Sequence, residues 1–366
     1  MNKFIVSGGG TGGHIFPAIA IANAIHRKQP DAEILFVGAE GKMEMEKVPA
    51  AGYKIEGLPV RGFQRKLTFS NISVIIKLLQ SMFKAKSIIK RFKPDVVIGV
   101  GGFASGPLLK QAQKLGISTL IQEQNSYAGV TNKLLAKKAD KICVAYDNME
   151  QFFPADKIIM TGNPVRQNIL ENIESKKDEA YKYFNVQGNK KVILIVGGSL
   201  GALTINESIH QGLDRFVEGK IQIIWQTGNG YYSKAQFVKQ EYKSKGIVVT
   251  DFITRMDLAY SIADVVISRA GASTVSELGL IHKPAIFVPS PNVAEDHQTK
   301  NAMALIQKDA AMMIEDVKAR EELVDAAIEL INDEFRMNVY QKNIASMGIK
   351  NSADTIAEEV FKLINK

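Results

Sequence analysis

Short apolar runs alternate along the chain with stretches where apolar residues return every three or four positions, so strands and helices are expected to take turns. FIV at 4–6 is followed by Ile15, Ile19, Ala22 and Ile25 at helical spacing, and AEILFVG at 32–38 completes a β-α-β unit. A long helix is predicted where Ile72, Ile75, Ile76, Leu79, Met82 and Phe83 share a face, with Phe63, Leu67 and Phe69 in the loop before it. VVIGV (96–100), STLI (118–121) and KICV (141–144) supply further strands. Beyond a polar, lysine-rich stretch the alternation restarts with VILIV (192–196) and continues through IQIIWQT, GIVVT, DVVIS and AIFVP. From Arg320 the chain reads as helical, and SADTIAEEVFKLIN (352–365) is an amphipathic helix with Ser352 as N-cap.

Two successive alternations imply an α/β protein of two Rossmann-like parallel-sheet domains facing each other across a cleft. Length agrees, since 366 residues exceed the roughly 100–200 of one domain. The Gly-Asn-Pro turn in TGNPVR (161–166) marks the boundary, giving domains 1–163 and 164–349, with a last helix at about 350–366 packing back on the first. A single cysteine, Cys143, excludes an internal disulfide and fits a reducing compartment. The start, MNKFIVSGGG, runs straight into the first strand with no signal-like segment, and no run reaches the ~20 apolar residues of a spanning helix.

Charge changes this picture. Residues 1–163 hold 22 Lys and Arg against 12 Asp and Glu, a balance of +10, while the remainder holds 24 against 26, or −2. The first half should therefore meet the anionic partner. Its segment 61–93 has nine basic residues and no acidic one, which suits an anionic membrane surface or nucleic acid. No nucleic-acid-binding module is recognisable, so nucleic acid is not expected as a partner.

Candidate chemistry sits where strands run into glycine-rich turns. SGGGTGGHIFP (7–17) follows the first strand and opens a helix, so bare amides and a helix N-terminus meet there, a corner suited to phosphate. His14 at that helix start is biased toward its neutral form, as a general base requires. GGFASGP (101–107) is a second such corner in the same half. Glu123 and Asn125 follow the strand at 118–121, at the edge where ligands of open α/β sheets bind. In the second half Gly197, Gly198 and Ser199 form another phosphate cradle. SRAGASTVSELG (268–279) places Ser273 and Glu277 one helical turn apart, suiting Glu277 for sugar hydroxyls while the helix start holds phosphate. Ser273 as a simple N-cap is the alternative. The remaining histidines show no metal-ligand spacing, so no metal is expected. Met43, Met45, Met312 and Met313 read as core filler.

Taken in order, GGGTGGH, GGFASGP, EQNSYAGVTNK, GNPVR, GGSLGA, RAGASTVSE and PSPNVAEDHQTKNA make the whole chain resemble the MurG family of bacterial peptidoglycan glycosyltransferases. The resemblance implies a GT-B enzyme of glycosyltransferase family 28. Such an enzyme moves N-acetylglucosamine from UDP-GlcNAc to the 4-hydroxyl of the muramoyl sugar of undecaprenyl-diphosphate-MurNAc-pentapeptide (lipid I), forming lipid II with inversion and without a cofactor. It implies peripheral attachment to the cytoplasmic side of the plasma membrane. Carried over by position, substrate contacts fall on Thr11, Gly12, Gly13, Asn125, Arg166, Ser199, Ile253, Ala272, Ser273, Thr274, Val275, Ser276, Glu277 and Gln298. Glu277 would hold the ribose, Ile253 and Arg166 the uracil, and Ser199 with the Ala272 helix start the phosphates. The first-half loops would take the acceptor diphosphate, at Gly9, Gly10, Gly101, Gly102 and Ser105, with His14 as base. Leu200 and His297 depart from the family pattern, which has glutamine at both.

Two other readings compete. Gly8, Gly10 and Gly13 also match a nicotinamide-dinucleotide fingerprint, which calls for an acidic ribose clamp, and Glu40 is the nearest candidate. A non-enzymatic protein that binds a nucleotide sugar or polyprenyl phosphate is the second.

Overall fold

The computed structural model describes residues 1–60, 70–165, 172–198 and 201–364. They divide into two compact units, Met1–Val165 with Ile349–Lys366, and Arg166–Gly348.

In the first unit, β1 (Lys3–Ser7), β2 (Glu33–Ala39), β3 (Lys54–Leu58), β4 (Val96–Gly99), β5 (Ser118–Glu123), β6 (Lys141–Val144) and β7 (Ile158–Met160) form one sheet in the order β3-β2-β1-β4-β5-β6-β7. Every pairing is parallel, with Phe4 opposite Ile34 on one side and Val96 on the other. Phe4, Ile5 and Val6 are fully buried, as are Val96, Val97 and Ile98, because helices cover both faces of such a sheet. Those helices are α1 (Gly12–Lys28), α2 (Glu44–Ala50), α3 (Ser70–Phe92), α4 (Ser105–Lys114) and α5 (Val130–Ala136).

The second unit has a six-stranded parallel sheet, β8 (Val192–Val196), β9 (Gln222–Gln226), β10 (Ile247–Thr250), β11 (Val265–Ser268), β12 (Ala285–Phe287) and β13 (Met312–Met313), in the order β10-β9-β8-β11-β12-β13. Its described helices are α6 (Lys177–Phe184), α7 (Leu203–Gln211), α8 (Leu213–Glu218), α9 (Asn229–Tyr242), α10 (Met256–Ile262), α11 (Ala272–Leu280), α12 (His297–Ile306), α13 (Ala319–Asn332) and α14 (Glu334–Ile344). Trp225 lies fully buried at its centre and donates its indole N–H to Asn206 Oδ1 at 2.9 Å, which satisfies the one polar atom of that ring.

A last helix, α15 (Ser352–Lys362), belongs to the first unit and packs on α1 through Ile356, Ala357 and Val360. Two ion pairs border the seam, Arg27 with Asp354 and Lys28 with Glu358, both at 2.8 Å. Surface pairs of this kind contribute at most about 1 kcal/mol each, so the buried apolar seam holds the helix.

The structure refines three expectations. The N-cap of α15 is Asn351, in the left-handed region at φ 59°, while Ser352 lies inside the helix and donates its hydroxyl to Ile349 O. Met312 and Met313 form the half-buried edge strand β13, with Met312 packed against the core of the second unit. Met43 is exposed, whereas Glu44 beside it is only 1% exposed.

Among the α3 side chains the structure describes, the buried positions are Val74, Ser81, Ala85, Ile88 and Ile89, and the stripe Ile75, Ile76, Leu79 and Phe83 is exposed, Phe83 being 74% exposed. Phe63, Leu67 and Phe69 fall outside the described residues.

Candidate active site

Strand order reverses between β1 and β4 in the first sheet and between β8 and β11 in the second, the position where open α/β sheets bind ligands. In the first unit the turns after β1 and β4 lie against each other there. Gly9 donates its N–H to Gly101 O at 3.3 Å, and Ser105 Oγ donates to Ser7 O and Gly101 O at 3.0 and 2.9 Å. Contact this close requires glycine. A side chain on Gly102 (φ 90°) would collide with the Gly9 backbone, and one on Gly101 (φ 102°) with the His14 ring.

His14, in the first turn of α1, has Nδ1 3.1 Å from Gly9 O and 3.4 Å from Thr11 Oγ1. A carbonyl oxygen only accepts, so Nδ1 carries the proton and donates it, and Nε2 is the basic nitrogen of the neutral ring. Beneath the same turn, Glu44 accepts the N–H of Gly10 at 2.9 Å through Oε2 and that of Ala39 at 3.0 Å through Oε1.

These bonds change the reading of the acceptor residues. The N–H groups of Gly9 and Gly10 already have partners, and Ser105, fully buried, turns its hydroxyl onto two carbonyls, so all three brace the turn. No acceptor among the described residues takes the N–H of Gly12, Gly13, Gly101 or Gly102, which leaves the start of α1 and the turn after β4 as the anion-ready amides. Glu40, the candidate clamp of the dinucleotide reading, follows the end of β2 and forms a surface pair with Lys84 at 2.8 Å.

Beside this corner Glu123, 2% exposed, accepts from Asn125 N and Nδ2 at 3.1 and 3.2 Å, Gly129 N at 3.0 Å and Asn132 Nδ2 at 2.8 Å. A buried carboxylate with its lone pairs filled in this way organises the whole loop that presents Asn125. Gln122, Gln124 and Asn163 extend the network. Gln122 Nε2 donates to Asn163 Oδ1, Asn163 Nδ2 to Gln124 O, and Gln124 Nε2 to Val100 O. The Gly-Asn-Pro stretch is thereby fixed to the ends of β4 and β5, a role that Asn163 did not show in the sequence.

The corner after β11 in the second unit is built differently. α11 starts at Ala272 behind the N-cap Gly271, with no side chain capping it, so Ser273 is not the cap and the first-turn amides are uncovered. Ala272, Ser273 and Thr274 are half-buried, while Val275 and Ser276 turn inward. One turn on, Glu277 is held by the Tyr260 hydroxyl, which donates to Oε2 at 2.9 Å. Ile253 is buried, and its N–H donates to Gln226 Oε1 at 3.4 Å, while Gln226 Nε2 donates to Gly198 O at 3.1 Å. Gln226 thus braces the turn after β8 against the loop carrying Ile253, and nothing in the sequence singled it out.

Next to that loop, Arg255 forks onto Asp257 at 3.0 and 2.9 Å and reaches Glu179 at 3.0 Å. The guanidinium, with Lys176 adding a second cation, holds the Asp257 carboxyl well below the usual carboxylate range. Gln298 Oε1 accepts the N–H of Ser290 at 2.8 Å, and the residues leading into it, Glu295 and Asp296, are both left-handed at φ 54° and 52°. Backbone of that kind in non-glycine residues persists only where surrounding contacts enforce it. Arg269 ties the end of β11 to Val288 O and Pro289 O and pairs with Asp316. Arg166, Ser199 and Leu200 lie outside the described residues. No group of three or more His, Cys, Asp or Glu side chains able to hold a metal ion occurs among the described residues.

The glycosyltransferase family 28 N-terminal domain matches residues 4–144, and the family 28 C-terminal domain matches residues 192–360. The chain belongs to glycosyltransferase family 28. Among its family 28 relatives, a UDP-N-acetylglucosamine–N-acetylmuramyl-(pentapeptide) pyrophosphoryl-undecaprenol N-acetylglucosamine transferase of Parabacteroides distasonis is 59% identical over 364 residues, covering 100% of this chain and 99% of the relative. The transferase of the same name from Bacteroides thetaiotaomicron is 58% identical over 363 residues, covering 99% and 97%. The crystal structure of Acinetobacter baumannii MurG superposes with a TM-score of 0.80 at 29% identity, covering 99% of this chain and 100% of that one. The two Rossmann-like units are thus those of a GT-B family 28 enzyme.

Proposed function

We propose that this chain is the transferase that moves N-acetylglucosamine from UDP-GlcNAc onto undecaprenyl-diphosphate-MurNAc-pentapeptide, forming the disaccharide lipid of peptidoglycan synthesis. The observation that carries the assignment is identity of more than half the residues, over essentially the full length, with transferases of that name.

The chemistry is a displacement. The muramoyl 4-hydroxyl attacks the anomeric carbon, the bond from that carbon to UDP breaks, and the hydroxyl proton passes to His14 Nε2. Charge developing on the leaving diphosphate is met by the uncovered amides at Ala272–Thr274 and by Gly197, Gly198 and Ser199. Glu277 takes the ribose hydroxyls, Ile253 and Arg166 the uracil, and Asn125, Thr11, Gly12, Gly13 and Gln298 the sugar and its surroundings. Gly101 and Gly102, whose amides have no acceptor among the described residues, take the acceptor diphosphate.

No helix among the described residues is long and apolar enough to cross a membrane. Attachment is assigned to the exposed stripe Ile75, Ile76, Leu79 and Phe83 of α3, flanked by Lys77, Lys86 and Lys90, docking on the anionic cytoplasmic leaflet. Two measurements test the whole reading. Transfer of labelled sugar from UDP-GlcNAc to a lipid I analogue must occur, since binding without transfer would leave only a sensor. Ile76→Glu with Phe83→Glu must abolish sedimentation with phosphatidylglycerol vesicles, and unchanged sedimentation would remove α3 as the docking face.

A further inference from the structure

Glu44 is an ionisable side chain buried to 1% exposure at the heart of the candidate site, and the displacement described above gives it no task. Its carboxylate accepts the N–H of Gly10, and the Nδ1–H of His14 is donated to the C=O of Gly9. That N–H and that C=O belong to one peptide group. A continuous line therefore runs from carboxylate to peptide N–H, through the amide to its oxygen, and on to the imidazole.

We propose that Glu44 is a positioning residue for His14, acting through the Gly9–Gly10 peptide: it fixes the ring in the Nδ1-protonated tautomer and stabilises the imidazolium that forms when Nε2 takes a proton. The proposal rests on the reading of His14 as the base.

Three observations support it. Gly9 has no room for a side chain because the Glu44 carboxylate occupies that space, so the turn is moulded on the carboxylate. The second oxygen of Glu44 is anchored by the Ala39 N–H at the end of β2, which fixes the direction in which the first one pulls. An amide whose N–H is bound to an anion becomes a stronger acceptor at its oxygen, because hydrogen bonds in series polarise one another and a buried site screens them little. In hydrolase triads a carboxylate bonded directly to the imidazole does the same work, and here one peptide group is inserted between them.

The test uses the full chain with isotope-labelled histidine, reading the His14 ring nitrogens by NMR in the absence of substrate, alongside transfer kinetics. The unmodified chain should show Nδ1 protonated, and Glu44→Gln should move the ring toward the Nε2-protonated tautomer. Its kcat should fall about 10- to 100-fold while the KM for UDP-GlcNAc changes less than about twofold. A tautomer and a kcat both indifferent to Glu44→Gln would overturn the relay. If that variant does not fold, the unmodified chain still decides: an Nε2-protonated His14, or a Gly10 amide with no scalar coupling to the Glu44 carboxylate carbon, overturns it. Full turnover by His14→Ala would remove the base role instead, while leaving the tautomer response to Glu44 intact.

Discussion

The two strand-to-helix corners at the switch points look alike in sequence and both leave amides open at the helix start, but they place their carboxylates differently. After β1 the glycine turn is filled from below by a carboxylate, and the peptide it grips holds an imidazole. After β11 the helix start is left uncovered, and the carboxylate, Glu277, stands one turn further in, held by Tyr260. The first arrangement suits moving a proton and the second suits holding a diphosphate and a ribose. Glycine richness alone therefore does not say which corner binds phosphate; what lies underneath the turn does.

The largest expected effects separate chemistry from binding. His14→Ala should lower kcat for transfer by about 10²- to 10⁴-fold, the usual worth of a general base, with UDP affinity by calorimetry unchanged. Glu277→Ala should do the reverse, weakening UDP by about 10- to 100-fold, as the loss of charge-assisted hydrogen bonds worth roughly 1.5–3 kcal/mol predicts. Equal loss of UDP affinity in both variants would erase the distinction between the corners.

Smaller effects probe the packing beneath each turn. Gly9→Ala thrusts a methyl group into the Glu44 carboxylate and should cost about 1–3 kcal/mol in denaturant unfolding. Gly271→Ala meets only Thr274 Oγ1 at 3.9 Å and has an ordinary φ of −69°, so it should cost no more than about 1 kcal/mol, the preference of an N-cap for glycine over alanine. A damaging Gly271→Ala would show that the second corner is as tightly filled as the first.

The smallest effect concerns acid stability beside the Ile253 loop. The Asp257 carboxyl is held low by Arg255 and Lys176, so its contribution is complete above the unfolded carboxylate pKa of about 4 and is lost as pH falls below it. Asp257→Asn should therefore flatten the acid limb of stability measured below about pH 4. The effect is modest because water screens much of the cluster.

The sequence by itself determined the α/β class, the alternation of strands and helices in both halves, the glycine corners and the places of His14 and Glu277 near the starts of the helices that follow them, because these depend on local periodicity and on turn chemistry written in consecutive residues. The family 28 motifs were legible for the same reason. The tertiary structure decided what distant residues bring to those corners. Glu44, between two methionines, reads as surface, yet β2 and the first turn fold over it. Gln226, Asn163 and Tyr260 look like ordinary strand, loop and helix residues until pairing brings their side chains onto the turns. The α3 stripe shows the converse. Its helical spacing fits a core face as well as a docking face, and only the packing of Val74, Ala85 and Ile88 inward leaves the other side bare. Periodicity marks which residues share a face, but which face meets the core is settled by contacts between segments far apart in the chain.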